Sequence, residues 1–205
     1  MQALDSRYTV HPGVTMVQAW IASLKEKSGR SLDEWVRLVK SSGLSAEAER
    51  AEWLKKNHNM GTNGAQWIVK RAEGRGLEES DPIAYLRAAT GWVDAMFAGP
   101  RANLRPIYER LLDVGFSMGD DVRVCPARTI VPLYRRHVFA HIRAATRTRI
   151  DLGLALPKTP ATKRLADTGG LAKGDRITYR LGISSHADID AEVKRWIKAA
   201  YDRAA

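Results

Sequence analysis

Arginine and histidine side chains are concentrated in the segment RRHVFAHIRAATRTRIDLGLAL, residues Arg135 to Leu156. Apolar residues occupy every second position in much of this segment, which is the pattern of two β-strands joined as a hairpin. Guanidinium groups bind phosphates and carboxylates through paired, charge-assisted hydrogen bonds. The segment therefore predicts a hairpin that carries positive charge on one face of a sheet.

Strand alternation assigns these side chains to faces. If Val138, Ala140 and Ile142 face covering helices, the residues between them lie on the opposite, open face. The last predicted strand adds Thr178 to that face and directs Ile177 inward. The candidate nucleic-acid or anion-binding residues of the open face are Phe139, His141, Arg143, Arg147, Arg149, Arg176 and Arg180.

Three interpretations of the open face follow from the sequence. Its arginines could hold phosphates while Phe139 or His141 stacks on an unpaired base, as in sheet-based binders of single strands. Alternatively, the arginines keep the protein soluble and protect the sheet from aggregation, with Asp151 neutralising one of them. In a third arrangement Phe139 belongs to the core, and the stacking surface disappears.

Metal and cofactor sites have little support in the sequence. His137 and His141 are four residues apart, which on a strand separates their Cα atoms by about 13 Å, an awkward span for one ion. The glycine-rich DTGGLAKGDR lacks the Gly-Lys-Ser/Thr ending of a nucleotide-binding P-loop and is typical of a flexible hairpin connection. We predict neither a bound metal nor a cofactor.

Catalytic constellations are also weak. Ser184, Ser185 and His186 are neighbours in a helix-capping segment, and Asp120 and Asp121 lie in a predicted turn. The turn NMGTNGAQWIV fits a plain interhelical turn better than a helix–turn–helix joint that touches phosphate. The sequence favours a non-enzymatic protein, and a deep pocket with converging polar residues would indicate an enzyme instead.

Composition limits the class of protein. The 205 residues have a formal net charge of +10, and the excess lies towards the C-terminus: residues 1–81 carry 12 Lys/Arg against 11 Asp/Glu, whereas residues 103–205 carry 19 against 11. A single cysteine, Cys125, excludes an intramolecular disulfide and favours a reducing compartment. Without a signal peptide or an apolar span, we expect a cytoplasmic protein and no membrane partner.

Four short helices are predicted within a helical module at residues 1–75. Ser31 with Glu34, and Asn63 with Gln66, have capping-box spacing, and Ser45 begins the third helix. At helical spacing with aliphatic neighbours, tryptophans are more typical of a core than of a base-stacking surface. The predicted core tryptophans are Trp20, Trp35, Trp53 and Trp67.

An α+β domain is predicted at residues 82–205, after a polar linker at residues 74–81. Two helices, the first capped by Asp81, precede a change of hydrophobic period from 3.6 to 2 near Asp121, and a helix capped by Ser185 closes the chain. The helices would cover one face of an antiparallel sheet. The predicted strands are Val122–Cys125, Thr129–Tyr134, His137–Arg143, Arg147–Leu156 and Arg176–Ile183.

Three stretches carry a family resemblance: WIASLKEKSGRSLDEWVRLVKSSGL, then YERLLDVGFSMGDDVRVCPARTIVPLYRRHVFAHIRAATRTRIDLGLAL, and finally LGISSHADIDAEVKRWIKAAYDRA. Their order resembles a bacterial fusion of two domains of unknown function, DUF4287 followed by DUF5655. The resemblance implies a helical N-terminal module and a C-terminal α+β domain similar in outline to double-wing proteins of the YjbR type. It implies no catalytic residues, and a nucleic-acid context only by association.

The working hypothesis is a two-module binding protein. Its open sheet face would engage nucleic acid through phosphates, and its helical module would recruit or position a protein partner. The alternative is a module that binds a small anionic ligand or another protein, in which the basic face serves solubility only. Steep salt dependence and tighter binding of longer oligonucleotides would distinguish the first hypothesis from the second.

Overall fold

The computed structural model describes residues 4–160 and 162–205 and has the predicted α+β class. Contacts divide the chain into two compact units. The helical unit is Val10–Leu86, and the sheet unit contains residues 4–9 together with residues 87–205. The division falls within a single helix, and the predicted linker at residues 74–81 holds a 3-10 turn at Leu77–Glu79.

The helical unit contains the four predicted helices. They are α1 (Pro12–Ser28), α2 (Leu32–Lys40), α3 (Glu47–His58) and α4 (Thr62–Ala72). The capping box of α2 is confirmed, because Ser31 accepts from the amide of Glu34 while the Glu34 carboxylate accepts from the amide of Ser31. The other two predicted caps were wrong by one or two residues: α3 is capped at Ala46 and α4 at Gly61, so Asn63 lies inside its helix.

The tryptophans of the helical unit pack as predicted around its core. Trp35 is 1% exposed, and its indole N–H donates to the Ser28 hydroxyl at 2.8 Å. The other three are partly buried around it, with the rings of Trp20 and Trp67 5.0 Å apart. Their aromatic surface is therefore largely used within the unit itself.

The sheet unit places its helices around a six-stranded sheet of order β1-β2-β3-β4-β6-β5, with every neighbouring pair antiparallel. The five predicted strands are confirmed, four with shorter bounds and β3 shifted by one residue, and the short β5 was not predicted. The strands are β1 (Arg123–Val124), β2 (Val131–Tyr134), β3 (Val138–Ala144), β4 (Ile150–Leu154), β5 (Ala166–Asp167) and β6 (Tyr179–Ile183). The helices are α5 (Pro82–Met96), which contains the division between the units, α6 (Arg105–Phe116), the short α7 (Gly170–Lys173), which was not predicted, and α8 (Ala191–Arg203).

Helices cover one face of this sheet, as the sequence predicted. A Cβ atom at Gly115 of α6 would lie 2.4 Å from Leu133 Cδ2, so glycine allows α6 to approach β2 closely. The C-terminal helix α8 packs on β3 and β4. The covered face carries a continuous apolar layer, which includes Ala140, Ile142, Leu152, Leu154, Leu181 and Ile183.

Candidate functional site

The strand register assembles polar residues on the face opposite the apolar layer. His141 pairs with Gly153, and Gly153 with Arg180, forming one row across β3, β4 and β6. The neighbouring row contains Arg143, Asp151 and Gly182. Paired residues on adjacent strands lie about 5 Å apart, so the register brings together groups that are up to about forty positions apart in the chain. We call this surface the open face.

A buried carboxylate organises two arginines on the open face. Asp151 is 5% exposed and accepts from Arg149 Nε at 3.0 Å and from Arg180 Nη1 at 3.2 Å. A charge this buried requires compensation, and two guanidinium groups supply it. The side chains of Arg149 and Arg180 stay about half exposed, 46% and 52%. Because two positive charges share one negative charge, the group keeps a net positive charge that faces solvent.

Three further arginines are not engaged in this way. Arg143 is exposed on β3, Arg147 is exposed in the β3–β4 turn, and Arg176 is exposed just before β6. None of the three makes a side-chain hydrogen bond or an ion pair with residues 4–160 or 162–205. Arg147 and Arg176 lie outside the strands, so the predicted strands were too long at these ends.

Gly153 allows two side chains to pack closely over the middle of the open face. A Cβ atom at Gly153 would lie 2.5 Å from His141 Nε2 and 2.7 Å from Ile177 Cγ2, so these two side chains meet above the glycine backbone. Burial lowers the pKa of His141, the charge of Arg143 lowers it further, and Asp151 opposes them. The imidazole is therefore neutral at neutral pH.

A cavity of about 440 Å³ opens beside these two side chains. One wall is the β3–β4–β6 face, and the other is the segment that leads into β6. The cavity is lined by three arginines, one histidine and two carboxylates, so positive groups outnumber negative ones. The lining residues are His141, Arg143, Asp151, Thr168, Asp175, Arg176, Ile177 and Arg180.

The predicted position of Phe139 on the open face was wrong. Phe139 is 0% exposed, and its ring packs edge-on against Tyr201 of α8 with the centroids 5.6 Å apart. The cause is a register shift between β2 and β3: Leu133 pairs with Ala140, but Tyr134 pairs with Val138, which leaves Phe139 as the extra residue of a bulge. A bulge interrupts strict alternation, so Phe139 turns towards the core.

The faces predicted for Ile177 and Thr178 were also wrong. Ile177 lies on the open face above Gly153, whereas Thr178 is buried and donates to the Leu156 carbonyl at 2.7 Å. β6 begins only at Tyr179. The alternation of side chains between the two faces of the sheet therefore does not extend back to Ile177 and Thr178. One signal in the sequence pointed to this close packing, namely Gly153 within a strand, where glycine often marks a close approach.

The remaining polar motifs have local structural roles. The Asp188 carboxylate accepts from the amides of Ser184 and Ser185, which satisfies the backbone of that turn. Asp121 accepts hydrogen bonds from the Tyr201 hydroxyl and from Arg135, joining the turn before β1 to α8. Among the residues that the structure describes, no three His, Cys, Asp or Glu side chains are grouped to hold a metal ion.

These features define a two-unit α+β protein in which one sheet face is covered by helices and the other is an open, arginine-rich surface. Residues 93–204 match the family model of DUF5655, a domain of unknown function, and residues 16–74 match that of DUF4287, a second domain of unknown function. The chain belongs to the DUF5655 family and carries a DUF4287 domain ahead of it, which confirms the resemblance seen in the sequence. Searches of curated proteins and of solved structures each gave no significant match. Within the described ranges, no helix has the length and apolar character needed to span a bilayer.

Proposed function

We propose that this protein binds nucleic acid through the phosphate backbone, using the open face of its sheet. The observation that supports the proposal is the arrangement of five arginines on and beside one sheet face, three of which line its cavity. Arg149 and Arg180 share a single buried carboxylate, and the other three have no partner in the described parts of the chain. Planar guanidinium groups are well suited to phosphate oxygens.

The same arrangement argues against a purely solubilising role. A surface that serves solubility needs charges of both signs, interspersed and without a fixed geometry. Here Asp151 holds two arginines in place, and its own burial on a sheet face has an energetic cost that solubility does not require. Because Phe139 is in the core, the proposed contact does not use that ring and depends mainly on phosphates.

Salt-dependent binding tests the proposal directly. We would measure fluorescence anisotropy of labelled single- and double-stranded DNA and RNA from low to moderate salt. The test variant replaces Arg143, Arg147 and Arg176 by alanine. Removing these three side chains leaves the two ion pairs of Asp151, with Arg149 and Arg180, intact. A matched control replaces three exposed cations of the helical unit, Lys27, Arg37 and Lys40, with the same change in net charge.

The expected result is steep salt dependence for the native protein and for the control. Each lost phosphate contact removes about 0.7 from the slope of log K against log salt for single strands and about 0.9 for duplexes. The test variant should therefore lose about 2 from the slope for single strands and about 3 from the slope for duplexes, together with affinity. No binding at low salt, or equal losses in both triple variants, would contradict the proposal.

A second candidate function rests on the concavity of the site. A cavity of about 440 Å³ lined by three arginines is within the size range of small-ligand pockets and could hold a small anion instead of a polymer. Oligonucleotide length separates the two candidates. Polymer binding should tighten from 4 to 16 nucleotides, whereas a small-ligand site should compete equally well with a mononucleotide.

The proposal gives the helical unit a separate task. Its tryptophans are largely used in its own core, which argues against base stacking by this unit. We propose that it recruits or positions a protein partner. The single, buried cysteine is consistent with action in a reducing compartment such as the cytoplasm.

A further inference from the structure

We infer that the cavity over Gly153 accepts one unpaired nucleotide of the bound strand, so that the protein distinguishes single-stranded from duplex nucleic acid. This inference rests on the proposed function and adds the class of substrate. The polymer would lie along the open face, with one base turned into the cavity and the adjoining phosphates at its rim. A paired base within a duplex could not enter in this way.

The floor of the cavity offers a surface for a base. His141 and Ile177 meet above Gly153, where a side chain would collide with both. Both residues are half-buried, and both line the cavity. The imidazole ring of His141 offers a flat surface and the Ile177 side chain an apolar one for the face of a nucleobase, and histidine is among the residues that stack on unpaired bases in RNA complexes. This surface replaces the ring of Phe139, which the fold places in the core.

The arginines lie where the flanking phosphates would be. Arg143 lies on β3 and Arg180 on β6, with β4 between them, and the two residues belong to neighbouring rows. With the ordinary spacing between strands and along a strand, their Cα atoms are about 12 Å apart. Their side chains can therefore reach phosphates on opposite sides of a single inserted base. Arg176 adds a third cation at the same cavity.

A carboxylate at the cavity suits the edge of a base better than a phosphate. Asp175 lines the cavity, and its carboxylate makes no hydrogen bond or ion pair with the residues described. Carboxylates accept hydrogen bonds from the exocyclic amino groups of bases and repel phosphates. The combination of Asp175 with three arginines is consistent with a nucleotide whose base points inward and whose phosphates stay at the rim.

The test compares two glycine substitutions on the same face. Gly153→Val disrupts the floor without changing charge, because its side chain would displace His141 and Ile177. Gly182→Val is the comparison variant: its Cβ would displace the flexible Arg149 side chain, with the nearest atom, Cδ, at 2.7 Å, so it perturbs a phosphate contact and leaves the floor intact. A second test variant, Ile177→Ala, removes the apolar part of the floor from a half-buried position and covers the case in which Gly153→Val does not fold.

Affinities for a labelled 12-nucleotide single strand and for the matching duplex provide the readout, with circular dichroism to verify folding. Gly153→Val and Ile177→Ala should weaken single-strand binding by about fivefold or more, the effect of losing one stacked base, and duplex binding by less than twofold. Gly182→Val should weaken binding of the single strand and of the duplex by the same factor. Equal losses for both nucleic acids in Gly153→Val and Ile177→Ala, or no loss in either of these two variants, would overturn the nucleotide site while phosphate binding stands. Failure of the native protein to bind either DNA at low salt would instead refute the proposed function itself.

Discussion

Replacing Phe139 by alanine should damage stability and spare nucleic-acid binding. The ring is fully buried against Tyr201 at the bulge of β3, and phenylalanine-to-alanine changes in such sites cost about 3–5 kcal/mol. For a chain of this length each kcal/mol lowers the melting temperature by about 2–4 °C, so a decrease of roughly 6–20 °C is expected. The affinity of the folded fraction for DNA should stay within twofold of the native value.

Urea unfolding followed by far-ultraviolet circular dichroism measures the loss of stability. Fluorescence anisotropy at a temperature where the variant is folded measures its affinity for DNA. Arg143→Ala is the opposite control, because its exposed side chain should affect binding and leave stability within about 0.5 kcal/mol. If Phe139→Ala loses less than about 1 kcal/mol of stability and also loses DNA binding, the ring faces solvent. That result would refute the assignment of the bulge and restore Phe139 to the open face.

Two further predictions concern titratable groups. Hydrogen bonds from Tyr201 and Arg135 hold the pKa of Asp121 below its ordinary value of 3.8, so the stability it contributes is present above that pH and is lost as the pH falls through the lower, folded-state value. In Asp121→Asn, the free energy of unfolding from urea titrations should therefore decrease less steeply as the pH falls below about 4. An unchanged pH dependence would exclude this role. Burial raises the pKa of the Cys125 thiol to about 11, and the residue is 1% exposed. A disulfide reagent at pH 8 should react slowly with the native protein and rapidly in guanidinium, whereas rapid native labelling would contradict the burial.

Local signals in the sequence account for most of the secondary structure. The capping box of Ser31 and Glu34 and the apolar stripe around Trp35 predicted α2, because both depend on residues within two turns of one helix. The strands β1 to β4 and β6 were predicted from alternation and turn residues. The sequence did not predict β5, because Ala166–Asp167 is both too short to show a period and exposed, whereas the equally short β1 contains the buried Val124.

The candidate site was only partly predictable for the same reason. Arg143 and Arg180 were placed correctly on the open face, since each lies within a regular strand. Asp151 was expected to neutralise one arginine, but the register brings it between two. Ile177 and Asp175 were not recognised as parts of the cavity, because they precede β6 and have no strand period of their own.

The α+β class, the order of all helices except the short α7, the family and the concentration of arginine towards the C-terminus could be predicted from the residues alone. These properties depend on composition and on contacts between near neighbours in the chain. The burial of Phe139 in the core, the pairing of Asp151 with two arginines, and the packing of His141 and Ile177 above Gly153 became visible only in the folded chain. Each of these depends on how strands separated by turns or long connections align, and a single-residue bulge is enough to reverse the face on which a side chain lies.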